Sequence, residues 1–325
     1  MAPRMADRST ADQEVVQSLR RRCKKLTITN VTISKSGHIF FTIFSFRLII
    51  PSMNQQFRPI GVFDSGVGGL SVLRAMRQLM PEEPIIYFAD QRHVPYGPRP
   101  MGQVSDFSNA ITRFLLDLNS KLIVVACNTA SAAALHSLRE HFPDVSFVGM
   151  EPAVKPAAEH TQSGLVGVLA TPATFQGALY ASVLERFANG VQVLQHTCPG
   201  LVGQIEKGDL DGAETRAILV DALRPMLDRG IDTVVLGCTH YPFVIPLIEQ
   251  IVGNQVRVID PAPAVAKQAK RLLEADGVNA KAGETYPVQF YTSGDTKAFK
   301  TMIPKLLGES GPVEQVSWLN DQHVQ

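Results

Sequence analysis

Lys121–Ser131 reads KLIVVACNTAS, and Ile231–Pro242 reads IDTVVLGCTHYP. In each stretch a run of aliphatic residues ends on a cysteine, Cys127 or Cys238, that opens onto a turn containing threonine. A short apolar run closed by polar turn residues is the pattern of a strand buried on both faces of a parallel sheet. Each thiol is therefore expected at a strand's carboxyl end, where open α/β sheets bind their ligands. Two thiols delivered by two similar units could face one small molecule from opposite sides. That geometry removes a proton on one face and returns it on the other.

From Pro59 onward, apolar runs alternate with amphipathic stretches, as in a doubly wound parallel α/β sheet. PIGVF, PIIYFA, LIVVA, VSFVGM, LVGVLA, VQVLQ, TVVLG, VRVID and PVQFYT are the expected strands. LSVLRAMRQLM, SAAALHSLREHF, TRAILVDALRPMLDRG and AVAKQAKRLLEADG show three-four apolar spacing and are expected helices, each with one face to bury against the sheet. The two halves also repeat. Asp64, in FDSGVGG, precedes Cys127 by 63 residues, and Glu151 follows 24 later; Thr171, in ATPATF, precedes Cys238 by 67, and Asp260 follows 22 later. Two copies of one α/β unit, with their strand ends facing across a cleft, account for this spacing; coincidence among common α/β spacings is the alternative.

With 325 residues, 45% of them hydrophobic, the chain can build two compact domains with real cores. The net charge of +1 is uneven: residues 1–50 carry nine Lys/Arg against three Asp/Glu, and the remainder 22 against 27. The body is thus mildly acidic and gives no reason to expect nucleic-acid binding. Four cysteines with no CxxC pairing suggest neither a disulfide framework nor structural zinc, which fits a reducing, cytoplasmic setting. Near the start, RRRCKK precedes the apolar stretch HIFFTIFSFRLII, which Arg47 interrupts. It falls short of the roughly 20 residues of a spanning helix, so no membrane segment is expected. Residues 1–57 read as an N-terminal extension, expected to be disordered, with the chain beginning functionally near Met53.

A free cysteine after a Val-rich run is ordinarily small apolar filling. Here Asn128-Thr129 and Thr239-His240 follow at once, where a helix is expected to begin. The free N–H groups of a helix start would stabilise a thiolate relative to its ordinary pKa of about 8.5, and could hold a carboxylate. FDSGVGGLS is neither a P-loop nor GxGxxG. Its glycines, Gly66, Gly68 and Gly69, are expected to let the backbone turn tightly while Asp64 and Ser65 point into the cleft. Asp64 could equally be a helix-capping carboxylate. His240, two residues from Cys238, suits proton handling. No ligand spacing supports a metal site built from Cys127, His136 and His240.

FDSGVGGLSV, VPYG, ACNTAS, CPGLVGQIEKG and GCTHYP, in this order and from about Pro59 to Thr296, resemble the cofactor-independent aspartate/glutamate racemases, and among them the glutamate racemases of the cell-wall pathway. The resemblance implies interconversion of L- and D-glutamate with no cofactor and no metal, Cys127 and Cys238 acting in turn as base and acid. Asp64 would assist the first cysteine, and Glu206 and His240 the second. Substrate contacts would fall to Asp64 and Ser65, Tyr96 and Gly97, Asn128 and Thr129, and Thr239 and His240. The chain has Gly200 and Gly203 where the motif around Glu206 is expected to be bulkier, and Cys198 is expected to be structural. Two similar domains related by a pseudo-two-fold are implied, residues 58–150 plus 263–318 and residues 151–262, with the active site in the cleft between them. A homodimer is implied too, with neither nucleic-acid nor membrane partners. An aspartate or hydantoin racemase, or a two-lobed amino-acid sensor, are the competing readings.

Overall fold

The computed structural model describes residues 32–33, 39–40, 55–281, 283, 285–320 and 323–325. Residues 1–52 and 53–325 are separate units. In the first, Thr32–Ile33 pairs antiparallel with Ile39–Phe40. Apart from these residues and a short 3-10 turn at Gln55–Phe57, the extension expected to be disordered lies outside the described residues. Among the described residues no helix is long and apolar enough to cross a membrane.

The second unit begins with β1 (Ile60–Asp64), α1 (Leu70–Leu79), β2 (Ile85–Ala89), α2 (Met101–Asp117), β3 (Leu122–Val125), α3 (Asn128–His141) and β4 (Phe147–Val148). After α4 (Val154–His160) the pattern restarts with β5 (Leu165–Ala170), α5 (Pro172–Gln176), α6 (Ala178–Phe187) and β6 (Gln192–His196). It continues through α7 (Leu201–Glu206), α8 (Ala213–Leu227), β7 (Thr233–Gly237), α9 (Ile245–Val252) and β8 (Arg257–Ile259). The chain closes with α10 (Ala262–Ala275), β9 (Gln289–Thr292), α11 (Thr296–Leu307), β10 (Val313–Gln315), β11 (Trp318–Asn320) and β12 (His323–Val324). All nine strands expected from the sequence form. The last three strands carried no signal, being two or three residues long.

Two all-parallel sheets result. One has the order β10-β9-β2-β1-β3-β4, the other β8-β7-β5-β6. In each, the first strand of the repeat lies between the second and the third, with the fourth outside the third. This shared order is what the repeated spacing anticipated. The order reverses beside β1 and β3 in one sheet and beside β5 and β7 in the other, and a reversal opens a crevice at the strands' carboxyl ends. Asp64 and Cys127 stand at the first crevice, Thr171 and Cys238 at the second.

Continuous apolar runs work here because both faces are covered. Ile60, Val62 and Val124 join Val234 and Leu236 of the other sheet, together with Leu201, Ile205 and Tyr241, in one core. Phe63, Ile123 and Val125 point to the opposite face, against Phe107 and Ile111 of α2. Val166, Val168 and Val235 pack beneath Tyr180 and Val183 of α6. The core therefore runs unbroken from one sheet to the other.

Candidate active site

A cavity of about 400 Å³ opens at the two crevices. That is enough for a small amino acid, at the lower end of ligand sites. Cys127 and Cys238 both line it, 4% and 5% exposed. Ser65, Tyr96, Gly97, Asn128, Thr129, Thr239 and His240 share its wall, so nine of the eleven residues singled out from the sequence meet there.

The remaining two, Asp64 and Glu206, do not line it and bond to residues that do. Asp64 is fully buried; its Oδ2 accepts from the Gly66 and Gly69 N–H groups at 3.0 Å each. Its Oδ1 accepts from the Thr239 hydroxyl at 3.2 Å. It thus fastens the turn before α1 and reaches across to the second lobe. Burial raises its pKa above the ordinary value, against the pull of His240 and the two N–H groups, with Glu206 adding to the rise. Glu206 Oε1 lies 2.7 Å from His240 Nε2 and accepts from the Val67 N–H at 2.8 Å. Gln91 donates to its other oxygen at 3.4 Å.

His240 links this carboxylate to sulfur, its Nδ1 3.8 Å from Cys238 Sγ. Burial alone would lower the imidazole's pKa, but the Cys238 sulfur and the Glu206 carboxylate outweigh it and hold the pKa well above its usual value. Burial likewise works to raise Glu206, and His240, the Val67 N–H and Gln91 pull it down. The pair is therefore ionised at neutral pH. Glu206, depressed, stabilises the fold above its unfolded pKa near 4.5, and this is lost as pH falls through the folded value. His240, raised, stabilises it below its unfolded pKa near 6.5, and this is lost as pH rises through the folded value. The difference in melting temperature between wild type and Glu206→Gln is thus expected to peak between those two pH values and to shrink on either side. A difference that is flat with pH would refute the pairing.

Cys127 caps α3, its sulfur accepting from the Ala130 N–H at 3.4 Å. The helix starts where the sequence implied, but its effect is overridden. Burial pushes the Cys127 thiol well above its usual range, the Asp64 and Cys238 charges push further, and the Ala130 and Ser65 N–H groups only partly offset this. The expectation of a stabilised thiolate is corrected here: about one hydrogen bond's worth of dipole does not match full desolvation.

Asn128 is 3% exposed, and neither its Oδ1 nor its Nδ2 has a hydrogen-bond partner within the protein. A buried donor and acceptor left open together cost about 1–3 kcal/mol each, so they point to a polar ligand in the cavity. Thr129 instead bonds across the cleft to Thr171, Oγ1 to Oγ1 at 2.9 Å. The Tyr96 hydroxyl donates to Asp90 at 2.6 Å, so its ring is what faces the cavity. His136 stands on the exposed face of α3, paired with Glu140, and takes no part.

The expected turn forms over residues 65–69, and its glycines are also small for a second reason. None has a left-handed φ. A Cβ on Gly66 would collide with the Glu206 carboxylate, and one on Gly68 with the His240 ring and, at 2.7 Å, the Thr239 hydroxyl. Gly66 and Gly68 are small because the Glu206 and His240 side chains lie directly on them, and Gly69 because Asp64 and the Tyr87 hydroxyl do. Gly68→Ala is expected to lower kcat about a hundredfold, the effect of misplacing an acid–base group by an ångström. The cost in stability should be only about 1–3 kcal/mol. Wild-type kcat in a folded variant would contradict this packing. Of the two unexpected glycines, Gly200 is left-handed (φ +87°), and a Cβ on Gly203 would meet nothing within 4 Å. Thr171, Thr197 and Cys198 also line the cavity. Of these, Thr171 had a signal in its place in the repeat opposite Asp64, and Cys198, expected to be structural, is buried but also faces the cavity.

A family model described as Asp/Glu/Hydantoin racemase matches residues 60–269. The glutamate racemase of Stutzerimonas stutzeri (strain A1501) is 48% identical over 256 residues, 79% of this chain and 96% of that protein. The crystal structure of a glutamate racemase isoform from Bacillus anthracis matches with a TM-score of 0.73 at 33% identity, covering 81% of this chain and 98% of that one. That of Escherichia coli glutamate racemase, in complex with L-glutamate and the activator UDP-MurNAc-Ala, matches at 0.72 and 33% identity, covering 81% and 100%. With well over half of its length under that family model and a relative at this identity nearly spanned, the chain belongs to the Asp/Glu/Hydantoin racemase family.

Proposed function

We propose that this enzyme is a glutamate racemase, interconverting L- and D-glutamate by transfer of the α-proton between Cys127 and Cys238. The observation that carries the reading is that two thiols, one from each sheet's switch point, line one cavity beside the open amide of Asn128. The relatives named glutamate racemases support the choice of substrate.

One thiolate takes the α-proton, the Cα–H pair stays on carbon as a carbanion, and the opposite thiol delivers its proton to the other face. The enzyme ends with its two protonation states exchanged, ready for the reverse reaction. The carbanion has no electron sink within the amino acid beyond its own carboxylate. Charge must be held by donors in a site closed to water, a part for Ser65, Asn128, Thr129 and Thr239. Cys127, held as a thiol by its burial, is the proton donor of the resting site. The His240–Glu206 pair stands beside Cys238, placed to move and hold its proton.

Opening of residues 58–150 plus 263–318 relative to residues 151–262 would admit substrate, and closure would shut out water. The protein would work as a cytoplasmic homodimer, supplying D-glutamate for peptidoglycan synthesis. Incubation with L-glutamate, L-aspartate or a hydantoin in heavy water tests the assignment. Deuterium is expected at the α-carbon of glutamate, with inversion. Exchange confined to another substrate would reassign specificity, and binding without exchange would make the protein a sensor.

A further inference from the structure

Asp90 follows β2 and is fully buried, and no step of the proton transfer uses it. Its own N–H donates to the Asp64 carbonyl at 3.0 Å, which places it next to the first crevice. Four side chains converge on its carboxylate. Oδ1 accepts from the Ser293 hydroxyl at 2.7 Å and the Trp318 indole N–H at 2.8 Å. Oδ2 accepts from the Tyr96 hydroxyl at 2.6 Å and lies 2.9 Å from His93 Nδ1. Such a carboxylate has little freedom, since three of the four donors it would release, His93, Tyr96 and Trp318, are buried with it.

These donors come from distant parts of the chain. Tyr96 belongs to the cavity wall, Ser293 to the turn after β9, and Trp318 to the closing β11–β12 hairpin. Rings reinforce the arrangement: His93 stacks on Phe107 with centroids 4.0 Å apart, and Trp318 meets both rings edge-on, at 4.9 and 5.4 Å. On the cavity side, Gly97 lies against Thr171 so closely that a Cβ would come within 2.9 Å of it. The Tyr96–Gly97 segment is thus held from behind by Asp90 and from the front by the second lobe.

We propose that Asp90 is a positioning residue for this site, and that the C-terminal hairpin, through Trp318, clamps it so as to set where the Tyr96–Gly97 wall meets substrate. The inference rests on the reading of the cavity as the glutamate site, and its test separates the two. Asp90→Asn replaces one acceptor oxygen with a donor that opposes its neighbours; Trp318→Phe keeps a ring and removes one donor. Hydrogen exchange of peptide 91–100 in the free protein reads the wall without any substrate. Faster exchange is expected in both variants.

With glutamate, Asp90→Asn is expected to raise KM about tenfold and Trp318→Phe about threefold, the scale of hydrogen bonds lost to a charged group. Changes in kcat should stay within about twofold, since no reacting atom is touched. Asp90→Glu, which restores the acceptors, should recover part of the KM. Wild-type exchange of peptide 91–100 in both variants would overturn the inference, whatever substrate the enzyme takes. So would faster exchange with unchanged KM, which would leave Asp90 a structural residue only. Trp318, the single tryptophan of the chain, adds a second readout. Its emission is expected to titrate with glutamate in the wild type at a midpoint near KM, and silence at saturation would also overturn the inference.

Discussion

Replacing Cys127 or Cys238 with alanine is expected to lower glutamate racemisation about a thousandfold or more, within the range of a positioned acid–base group. The loss should be chemical. Each sulfur borders an existing cavity, so its removal costs about 1 kcal/mol or less of packing. The melting temperature should barely move.

The two variants should also fail differently. With one thiol gone, the enantiomer whose α-hydrogen faces the surviving thiol can still lose its proton to that thiol and regain a deuteron from it. The other enantiomer has lost its base. Residual α-deuterium exchange, without inversion, is therefore expected for one enantiomer in Cys127→Ala and for the opposite enantiomer in Cys238→Ala. Equal residual exchange of both enantiomers in either variant, or wild-type racemisation, would remove the two-base scheme.

What the sequence revealed of this site follows from how local each cause is. A buried parallel strand needs only its own aliphatic run, so LIVVA and TVVLG were legible, and so were the cysteines after them. The repeated spacing carried the shared strand order because a duplicated unit repeats its connections as well as its strands. The short strands β10, β11 and β12 lack enough residues for a period, and are held instead by tertiary partners such as the Trp318–Asp90 bond.

Non-local causes were hidden. Gly66 and Gly68 read as turn residues because the groups packed on them, Glu206 and His240, lie well over a hundred residues away. The Cys127 pKa was misjudged for a related reason: a helix start is visible in sequence, whereas the depth of burial that outweighs it belongs to the assembled fold. Asp90 carried no motif at all, and its partners Ser293 and Trp318, more than two hundred residues away, are recognisable only in the assembled fold.

The same blindness to distance hides the largest stability effect expected here, at Lys121. Its ammonium lies 2.6 Å from Glu83 Oε2, both side chains 2% exposed. It also donates to the Gln56 and Val278 carbonyls at 2.9 Å, while Glu83 Oε1 accepts from the Ala280 N–H at 2.7 Å. Together they fix the segment that leads from α10 back to β9, and so the addition of β9 and β10 to the first sheet. Burial nonetheless depresses the Lys121 pKa below its usual value despite Glu83, so the pair does not fully offset the cost of leaving water. That imbalance predicts strong asymmetry between single and double variants. Lys121→Met leaves a carboxylate buried without a countercharge and is expected to cost about 3–5 kcal/mol. Adding Glu83→Gln removes the stranded charge, keeps an acceptor for the Ala280 N–H, and is expected to bring the double variant within about 2 kcal/mol of wild type, the remainder being two carbonyls without a donor. Denaturant titration of the two single variants and the double measures this directly. Additive losses would show that the two groups act independently and that the ion pair does not govern the segment.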